Sequence, residues 1–108
     1  METISAEELK EKLDSEEEFQ LVHVLPEEEF RKEHIPGSVN IPLGEIGKRR
    51  SELDTDKETI VYCKDFDCDA SPKAAKKLEK LGFEKVVDFE GGIDDWKEKG
   101  YPIDSSSD

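Results

Sequence analysis

The sequence predicts an α/β domain with a central, mostly parallel sheet of four to five strands and helices on both faces. Short apolar, β-branched runs alternate with helical patterns along the chain, and this alternation is typical of parallel sheets. A chain of 108 residues is long enough for one modest hydrophobic core. We therefore assign residues 1–103 to a single domain and residues 104–108 to a disordered, frayed tail.

Helix-start signals and apolar runs define the elements of the first half. Ser5 is a predicted N-cap with Glu8 as its capping-box partner, and the helix that follows should run to about Leu13. The run at 20–25 is nearly all apolar, which predicts a strand buried on both faces. The remaining elements predicted here are a short helix from Pro26 with acidic residues at 27–29, a turn at 34–38, a strand at 39–41, and a helix at 44–53 with Ile46 and Leu53 inward.

The second half repeats the pattern of strand and helix. The run at 59–63 is a predicted strand, and a predicted helix opens at Ser71, keeps apolar residues at helical spacing and ends at Gly82. Residues 85–89 form another predicted strand, followed by a tight turn and a last helix. Trp96 in that helix is interpreted as a core residue that packs on the sheet.

The formal net charge of −13 limits the partners of this chain. Nucleic acid and anionic membranes would repel so acidic a surface, so we expect neither as a partner. We interpret the acidic residues as a solubilising surface rather than as a docking face for a basic partner. No basic and apolar leader follows Met1 and no apolar stretch approaches the length of a membrane span, which predicts a cytoplasmic protein; we expect it to be a monomer.

Cys63 is the strongest candidate for a functional residue. It ends a predicted strand and precedes a polar loop and a helix, so its sulfur would face unpaired backbone N–H groups. Such groups favour the thiolate over the thiol, which predicts a nucleophile rather than an inert buried cysteine. The predicted active-site loop that follows consists of Lys64, Asp65, Phe66, Asp67, Cys68, Asp69, Ala70 and Ser71.

Cys68 lies five positions after Cys63 in the same loop. A bridge between the two would close a very small ring and add little stability, so we expect no structural disulfide. Cys68 could resolve an oxidised or persulfidated Cys63, or it could be a packing or solvent-exposed residue. Together with His23 and His34, the cysteines lack the paired spacing of a metal site, and we expect neither a metal nor a cofactor.

Other polar residues have structural interpretations. We expect His23 to be a hydrogen-bonded core residue rather than a general base, and His34 to cap or pack its turn. We expect a solvated helix face formed by Lys73, Lys76, Lys77 and Lys80. The positive charge of this face could also offset the acidic loop for an anionic substrate.

Four segments carry a family resemblance: LVHV at 21–24, HIPGSVNIP at 34–42, VYC at 61–63 and EGGIDDW at 90–96. In this order, and over nearly the whole chain, they resemble the single-domain rhodaneses. The resemblance implies that Cys63 accepts a sulfane sulfur as a persulfide and passes it to a nucleophilic acceptor. The sulfur donor and acceptor would be small molecules or proteins, and residues 63–71 would occupy the family's loop of backbone N–H groups.

The loop departs from the family pattern, which places a Gly and an Arg between the cysteine and a helix-capping serine. This loop is longer, has neither residue, and carries Asp65, Asp67 and Asp69 against one lysine. These carboxylates should raise the pKa of the thiol and repel a dianion such as thiosulfate. His23 and Leu25 also stand where the family commonly has Asp and Arg.

The leading hypothesis is a rhodanese-type sulfurtransferase or persulfide carrier with Cys63 as nucleophile. Loop N–H groups, assisted by Ser71, would stabilise the negative charge on sulfur. The alternatives are a non-catalytic rhodanese-like binding module and a dithiol redox protein that uses Cys63 and Cys68. A phosphatase of the related long-loop kind is the least favoured, because its site needs an arginine for phosphate and this loop has none.

Overall fold

The structure is a computed structural model, and it describes residues 2–105. Five strands form one sheet: β1 (Glu2–Thr3), β2 (Gln20–His23), β3 (Val39–Asn40), β4 (Thr59–Tyr62) and β5 (Val86–Phe89). The five α-helices are α1 (Ala6–Asp14), α2 (Glu27–Lys32), α3 (Ile46–Arg49), α4 (Ala70–Lys80) and α5 (Gly92–Glu98). Within residues 2–105, no helix combines the length and the apolar character needed to cross a membrane.

The strands of the sheet pair in parallel, in the spatial order β1-β5-β4-β2-β3. β4 is the central strand, and its last residue, Tyr62, is in register with His23 of β2 and Phe89 of β5. The predicted α/β fold with a parallel sheet of four to five strands is therefore confirmed.

Separate apolar clusters cover the two faces of the sheet. Successive strand residues point to opposite faces, so Val61 packs with Leu78 of α4, whereas Ile60 packs with Leu9 of α1 and Trp96 of α5. Every residue of β4 is buried, because helices cover both sides of the strand. The helices lie on both faces and Trp96 lies in the core, as the sequence predicts.

Local signals place two helix ends where the sequence predicts them. Ser5 Oγ accepts the N–H of Glu8 at 3.1 Å, and Glu8 Oε1 accepts the N–H of Ser5 at 3.1 Å, which completes the capping box of α1. After α4, Gly82 has a φ of 96°, a conformation that favours glycine and stops the helix.

The predicted helix at 44–53 is wrong in its extent. Only Ile46–Arg49 is α-helical, and 3₁₀ turns, Leu43–Glu45 and Arg50–Glu52, flank it. Gly44 and Gly47 lower the helix propensity of this segment, which leaves it as short pieces held by the burial of Ile46.

Both ends of the described chain make pairings that the sequence does not predict. β1 adds to the sheet edge, with Glu2 beside Val87, although its two exposed residues show no apolar pattern. Asp104, assigned above to the frayed tail, exchanges two backbone hydrogen bonds of 2.9 Å with His34. This pairing holds the chain in place beyond residue 103; residues 106–108 of the predicted tail lie outside the described residues.

Tyr62 joins the sheet to the turn before β3 by hydrogen bonds in the core. Its hydroxyl oxygen accepts the N–H of Ile35 at 3.0 Å and lies 2.8 Å from Ser38 Oγ, which itself donates to Ile35 O at 2.7 Å. Because the only hydroxyl proton of Ser38 goes to that carbonyl, the Tyr62 hydroxyl donates to Ser38 Oγ. Burial raises the pKa of Tyr62, which keeps its hydroxyl a donor.

This network predicts the effect of Tyr62→Phe. The substitution leaves the buried N–H of Ile35 without its acceptor, so we expect the free energy of unfolding to fall by about 1–3 kcal/mol in urea denaturation. Tyr101→Phe is the control, because Tyr101 lies half-buried against Trp96 outside the network. Equal losses in the two variants would contradict this assignment.

Candidate active site

Cys63 lies at the carboxyl edge of the sheet, directly after β4, and only 1% of its surface is exposed. The strand before it is buried along its whole length, so the chain leaves the core at this residue. In parallel α/β sheets, binding and catalytic sites form at the carboxyl ends of the strands. The structure thus places the predicted nucleophile at the edge where such sites occur.

The structure joins Cys63 and Cys68 in a disulfide, with their Cα atoms 6.4 Å apart. This differs from the expectation that the chain forms no structural disulfide. The bridge closes a small ring within one loop and does not connect separate secondary-structure elements. Because the ring is small, we expect the bridge to add little to the stability of the fold. The bridge also shows that the loop places the sulfur of Cys68 within bonding distance of the sulfur of Cys63.

Ser71 lies beside the sulfur of Cys63. Its Oγ is 3.5 Å from Cys63 Sγ, and its surface is 1% exposed. The sequence predicts a helix start at Ser71, but α4 begins one residue earlier, with Asp69 as its N-cap. The side chain of Ser71 is therefore inside the first turn and faces the sulfur, which explains why it does not act as the cap.

The first turn of α4 offers fewer backbone donors than an ordinary helix. Pro72 has no N–H, and Lys73 donates its N–H to Asp69 O at 3.3 Å. The N–H groups of Ala70 and Ser71 are therefore the two in this turn without an intrahelical partner. The helix can therefore stabilise a negative charge on sulfur through these two N–H groups and through its dipole.

The loop after Cys63 uses part of its own hydrogen-bonding capacity. Asp65 Oδ1 accepts the N–H of Asp67 at 3.0 Å, and Asp65 O accepts the N–H of Cys68 at 3.2 Å. Two of the N–H groups predicted to surround the sulfur are therefore already engaged. Phe66 is 69% exposed at this loop.

The loop charges point largely into solvent. Lys64, Asp67 and Asp69 are exposed, whereas Asp65 is half-buried. Asp69 forms an ion pair with Lys73 at 3.1 Å, so one member of the lysine face of α4 does offset a loop carboxylate. The exposed face also carries Lys76, Lys77 and Lys80, which line a shallow groove with Leu81.

α5 fixes the backbone at the start of the loop. The N–H of Ile93 donates to Cys63 O at 3.0 Å, and the N–H of Asp94 donates to Lys64 O at 2.8 Å. Gly92 permits this approach, because its φ is 62° and an added Cβ would lie 2.5 Å from Cys63 O. The GG pair in the sequence indicates a turn, but its contact with the cysteine backbone emerges only in the fold.

His23 is buried and neutral at the end of β2. Burial lowers its pKa to about 4, and the neighbouring His34 adds to the drop. Its ring packs edge-on against Tyr62 and Phe30, and Asn40 Nδ2 lies 3.4 Å from its Nδ1. These contacts agree with the predicted core role.

His34 packs its turn, as predicted. Its ring stacks on Phe30 with centroids 3.8 Å apart, and its Nδ1 lies 2.8 Å from Phe30 O. A small cavity of about 40 Å³ opens between α2 and the loop. The lining of this cavity consists of His23, Leu25, Glu29, Glu33, Lys64 and Ile93.

Asp88 is a polar residue near this site that was not among the site residues predicted from the sequence. It lies in β5, is 1% exposed, and is in register with Val61 of β4. The available signal was a charged residue in the middle of an apolar strand, which usually needs a specific environment.

Comparisons with known proteins bear on this geometry. The family model for the Rhodanese-like domain matches residues 5–99. The chain is 42% identical over 96 residues to YrkF of Bacillus subtilis, which is named as a candidate sulfur carrier protein; the match covers 89% of this chain and 51% of YrkF. The chain therefore spans about half the length of that relative.

Two further matches cover nearly all of both chains. YtwF of Bacillus subtilis, named as a candidate sulfurtransferase, is 36% identical over 99 residues, which are 92% of this chain and 93% of YtwF. The crystal structure of a rhodanese-related protein from Thermoplasma volcanium has 32% identity and a TM-score of 0.83, over 96% of this chain and 98% of that one.

The close approach of α5 to the loop predicts the effect of Gly92→Ala. The added methyl group would lie 2.5 Å from Cys63 O and 2.6 Å from Lys64 C, so α5 or the loop must shift. We expect a loss of about 3 kcal/mol in the free energy of unfolding, measured by urea denaturation.

Gly100→Ala is the matched control for that substitution. Gly100 also has a positive φ, 77°, but an added methyl group there meets no atom within 4 Å. Only backbone strain remains, so we expect a loss of about 1 kcal/mol. A loss for Gly92→Ala no larger than for Gly100→Ala would show that the contact with the cysteine backbone is not tight.

Proposed function

Because the chain belongs to the rhodanese-like domain family, we propose that it is a sulfurtransferase or persulfide carrier with Cys63 as its nucleophile. Cys63 accepts a sulfane sulfur and passes it to a nucleophilic acceptor, the donor and acceptor being small molecules or proteins. The names of two relatives, a candidate sulfur carrier and a candidate sulfurtransferase, support this class of chemistry. The proposal concerns this domain and not the longer relative as a whole.

The observation that carries the proposal is the position of Cys63 between a buried strand and the first turn of α4. Its sulfur lies 3.5 Å from Ser71 Oγ, and the N-terminal end of the helix dipole is next to it. A hydroxyl donor and a positive dipole end both stabilise a thiolate. The backbone at Cys63 is also fixed by α5, which keeps the sulfur in one position for attack.

The reaction requires Cys63 in its reduced form. A dithiol opens the Cys63–Cys68 bond by exchange and is itself oxidised to a disulfide. The Cys63 thiolate then attacks the outer sulfur of a persulfide donor RSSH, which forms the Cys63 persulfide and releases RS⁻. An acceptor nucleophile attacks that outer sulfur, takes it, and returns Cys63 as the thiolate.

The charges around the site favour a donor of low charge. Asp67 is exposed in the loop, and Glu29 and Glu33 line the small cavity beside Lys64. These carboxylates repel a dianion such as thiosulfate, while a neutral or singly charged persulfide meets less repulsion.

A second function is favoured by the disulfide itself. In a persulfidated protein, the Cys68 thiolate can attack the inner sulfur of Cys63, forming the Cys63–Cys68 bond and releasing hydrosulfide. Electrons balance, because the persulfide is reduced to hydrosulfide as the two cysteines are oxidised to the disulfide. In this role the domain releases sulfide and needs a dithiol to reset it.

Substitution of each cysteine tests the proposed roles. Cys63→Ser should lose all transfer of sulfur to an acceptor thiol, because serine cannot form a persulfide. Cys68→Ser should retain at least part of the transfer, because Cys68 is not the nucleophile. Mass spectrometry of the reduced Cys68→Ser variant, in which Cys68 cannot displace the added sulfur, should locate that sulfur on Cys63 after incubation with a persulfide donor.

Two outcomes of that experiment would contradict the assignment. Transfer that survives in Cys63→Ser and disappears in Cys68→Ser would show that Cys68 is the nucleophile. A folded, reduced Cys68→Ser variant that gains no sulfur at Cys63 would favour the alternative of a non-catalytic binding module. Circular dichroism of each variant establishes that the fold is intact.

The loop charge predicts the choice of donor. Asp67→Asn and Asp69→Asn should raise kcat/KM for thiosulfate and lower the apparent pKa of Cys63, because each removes a negative charge near the sulfur. The gain should be about twofold at low ionic strength and shrink in high salt, since both side chains are exposed. It should be smaller for Asp69, which Lys73 already neutralises in part.

Glu79→Gln is the matched control for loop charge, because Glu79 is exposed near the other end of α4. It should leave the turnover of thiosulfate unchanged. Suppose that the wild type turns over thiosulfate as fast as a persulfide, and that neither loop substitution changes the rate. This result would show that loop charge does not control donor choice.

A further inference from the structure

A buried carboxyl group lies on the same face of the sheet as Cys63 and takes no part in the reaction described above. Asp88 is 1% exposed in β5. Residues of a strand alternate between faces, so Asp88 shares the face of Val86, which belongs to the apolar cluster that also contains Cys63 and the buried residues of α4. Asp88 is thus buried in the layer that holds the candidate site.

The carboxyl group of Asp88 is not satisfied by its surroundings. Neither of its oxygens has a hydrogen-bond partner among residues 2–105. Removing a carboxylate from water without a partner costs far more than removing the neutral acid. The site therefore favours the protonated group.

The groups around Asp88 agree with that conclusion. Burial raises its pKa, the Ser71 hydroxyl facing it lowers the pKa in part, and the negative charge of Glu90 adds to the rise. β4 places Val61 beside it and β1 places Thr3 beside it, and neither is charged. No lysine or arginine of the described chain is among the groups that shift its pKa.

Ser71 is a neighbour of both this carboxyl group and the sulfur. Its Oγ is 3.5 Å from Cys63 Sγ, and its hydroxyl is also near the Asp88 carboxyl, although no hydrogen bond joins Ser71 and Asp88 in the disulfide form. A serine hydroxyl has one proton to donate and two lone pairs that accept. The direction in which that single proton points therefore depends on whether Asp88 donates a hydrogen bond to Ser71 or accepts one from it.

We propose that Asp88 is a positioning residue for Cys63, and that its protonated carboxyl donates to Ser71 Oγ and directs the Ser71 O–H toward the sulfur. The inference rests on the proposed role of Cys63 as nucleophile. In the reduced protein the Ser71 O–H then donates to the thiolate, and in the loaded protein to the persulfide anion. Asp88 touches no substrate and acts only through Ser71.

The protonation state of Asp88 decides the sign of the effect. The acid donates to Ser71, so the serine proton is left for the sulfur and the thiolate is stabilised. The ionised carboxylate would instead accept the serine proton, deprive the sulfur of its donor and add a like charge. Asp88 and Cys63 therefore titrate as a coupled pair, in which loss of the Asp88 proton raises the pKa of Cys63.

The test measures the apparent pKa of Cys63 from the pH dependence of alkylation by iodoacetamide. It uses the full chain with Cys68→Ser as the parent, so that a single thiol reacts. Asp88→Val should raise the pKa by about one unit, and Ser71→Ala should do the same. The double variant should rise no further than Ser71→Ala alone, because Asp88 acts through that hydroxyl.

Asp88→Asn separates a donated hydrogen bond from a charge. Its amide N–H also donates to Ser71, so the pKa of Cys63 should stay within about 0.3 unit of the parent value. A pKa well below the parent would overturn the proposal, because it would show that Asp88 acts as a negative charge. An effect of Asp88→Val that persists in the Ser71→Ala background would overturn it as well.

Two safeguards keep the test decisive. Thermal melting confirms that each variant is folded, and if Asp88→Val does not fold, the comparison of Asp88→Asn with Ser71→Ala decides the question. Alkylation reports the thiolate whether or not the protein transfers sulfur. A correct pattern of pKa values with no sulfur adduct on Cys63 would therefore refute the proposed function alone, and an adduct with the wrong pattern would refute the role of Asp88 alone.

Discussion

The site depends on the way α5 holds the carboxyl end of β4. Two backbone hydrogen bonds, to Cys63 O and Lys64 O, fix the point at which the chain leaves the core. They form only because Gly92 brings the start of α5 against those carbonyls without a side chain in between. The sulfur, the loop and the first turn of α4 take their positions from this anchor.

The second constraint is the charge of the described residues around the loop. Lys73 is paired with Asp69, and Lys64 is exposed beside a cavity lined by acids. A thiolate here must be stabilised by the helix dipole, by a few backbone N–H groups and by the Ser71 hydroxyl rather than by a cation. Two loop N–H groups already bond to Asp65, so the helix dipole and the Ser71 hydroxyl carry more of the stabilisation of the thiolate. A neutral Asp88 leaves the Ser71 proton free for the sulfur, and it therefore fits this site better than a charged Asp88.

Local signals were predictable from the sequence and long-range contacts were not. The capping box at Ser5, the helix stop at Gly82 and the central strand that leads to Cys63 each depend on neighbours in the chain. The pairing of β1, the approach of Gly92 and the position of Asp88 depend on elements far apart in sequence, for which no local pattern exists. The predicted helix at 44–53 is wrong in its extent because Gly44 and Gly47 lower the helix propensity of the segment. The sequence predicts that Ser71 opens the helix and assists at the sulfur; its Oγ does lie 3.5 Å from Cys63 Sγ, but the helix starts one residue earlier.

The most direct test of this account is a crystal structure of the reduced Cys68→Ser variant after reaction with a persulfide donor. The account predicts one additional sulfur atom bonded to Cys63 Sγ, with the Ser71 hydroxyl and the N–H groups at the start of α4 within hydrogen-bonding distance of the two sulfurs. The backbone hydrogen bonds from α5 should be unchanged. An unmodified Cys63, or a Cys63 persulfide that points away from α4 into solvent, would contradict it.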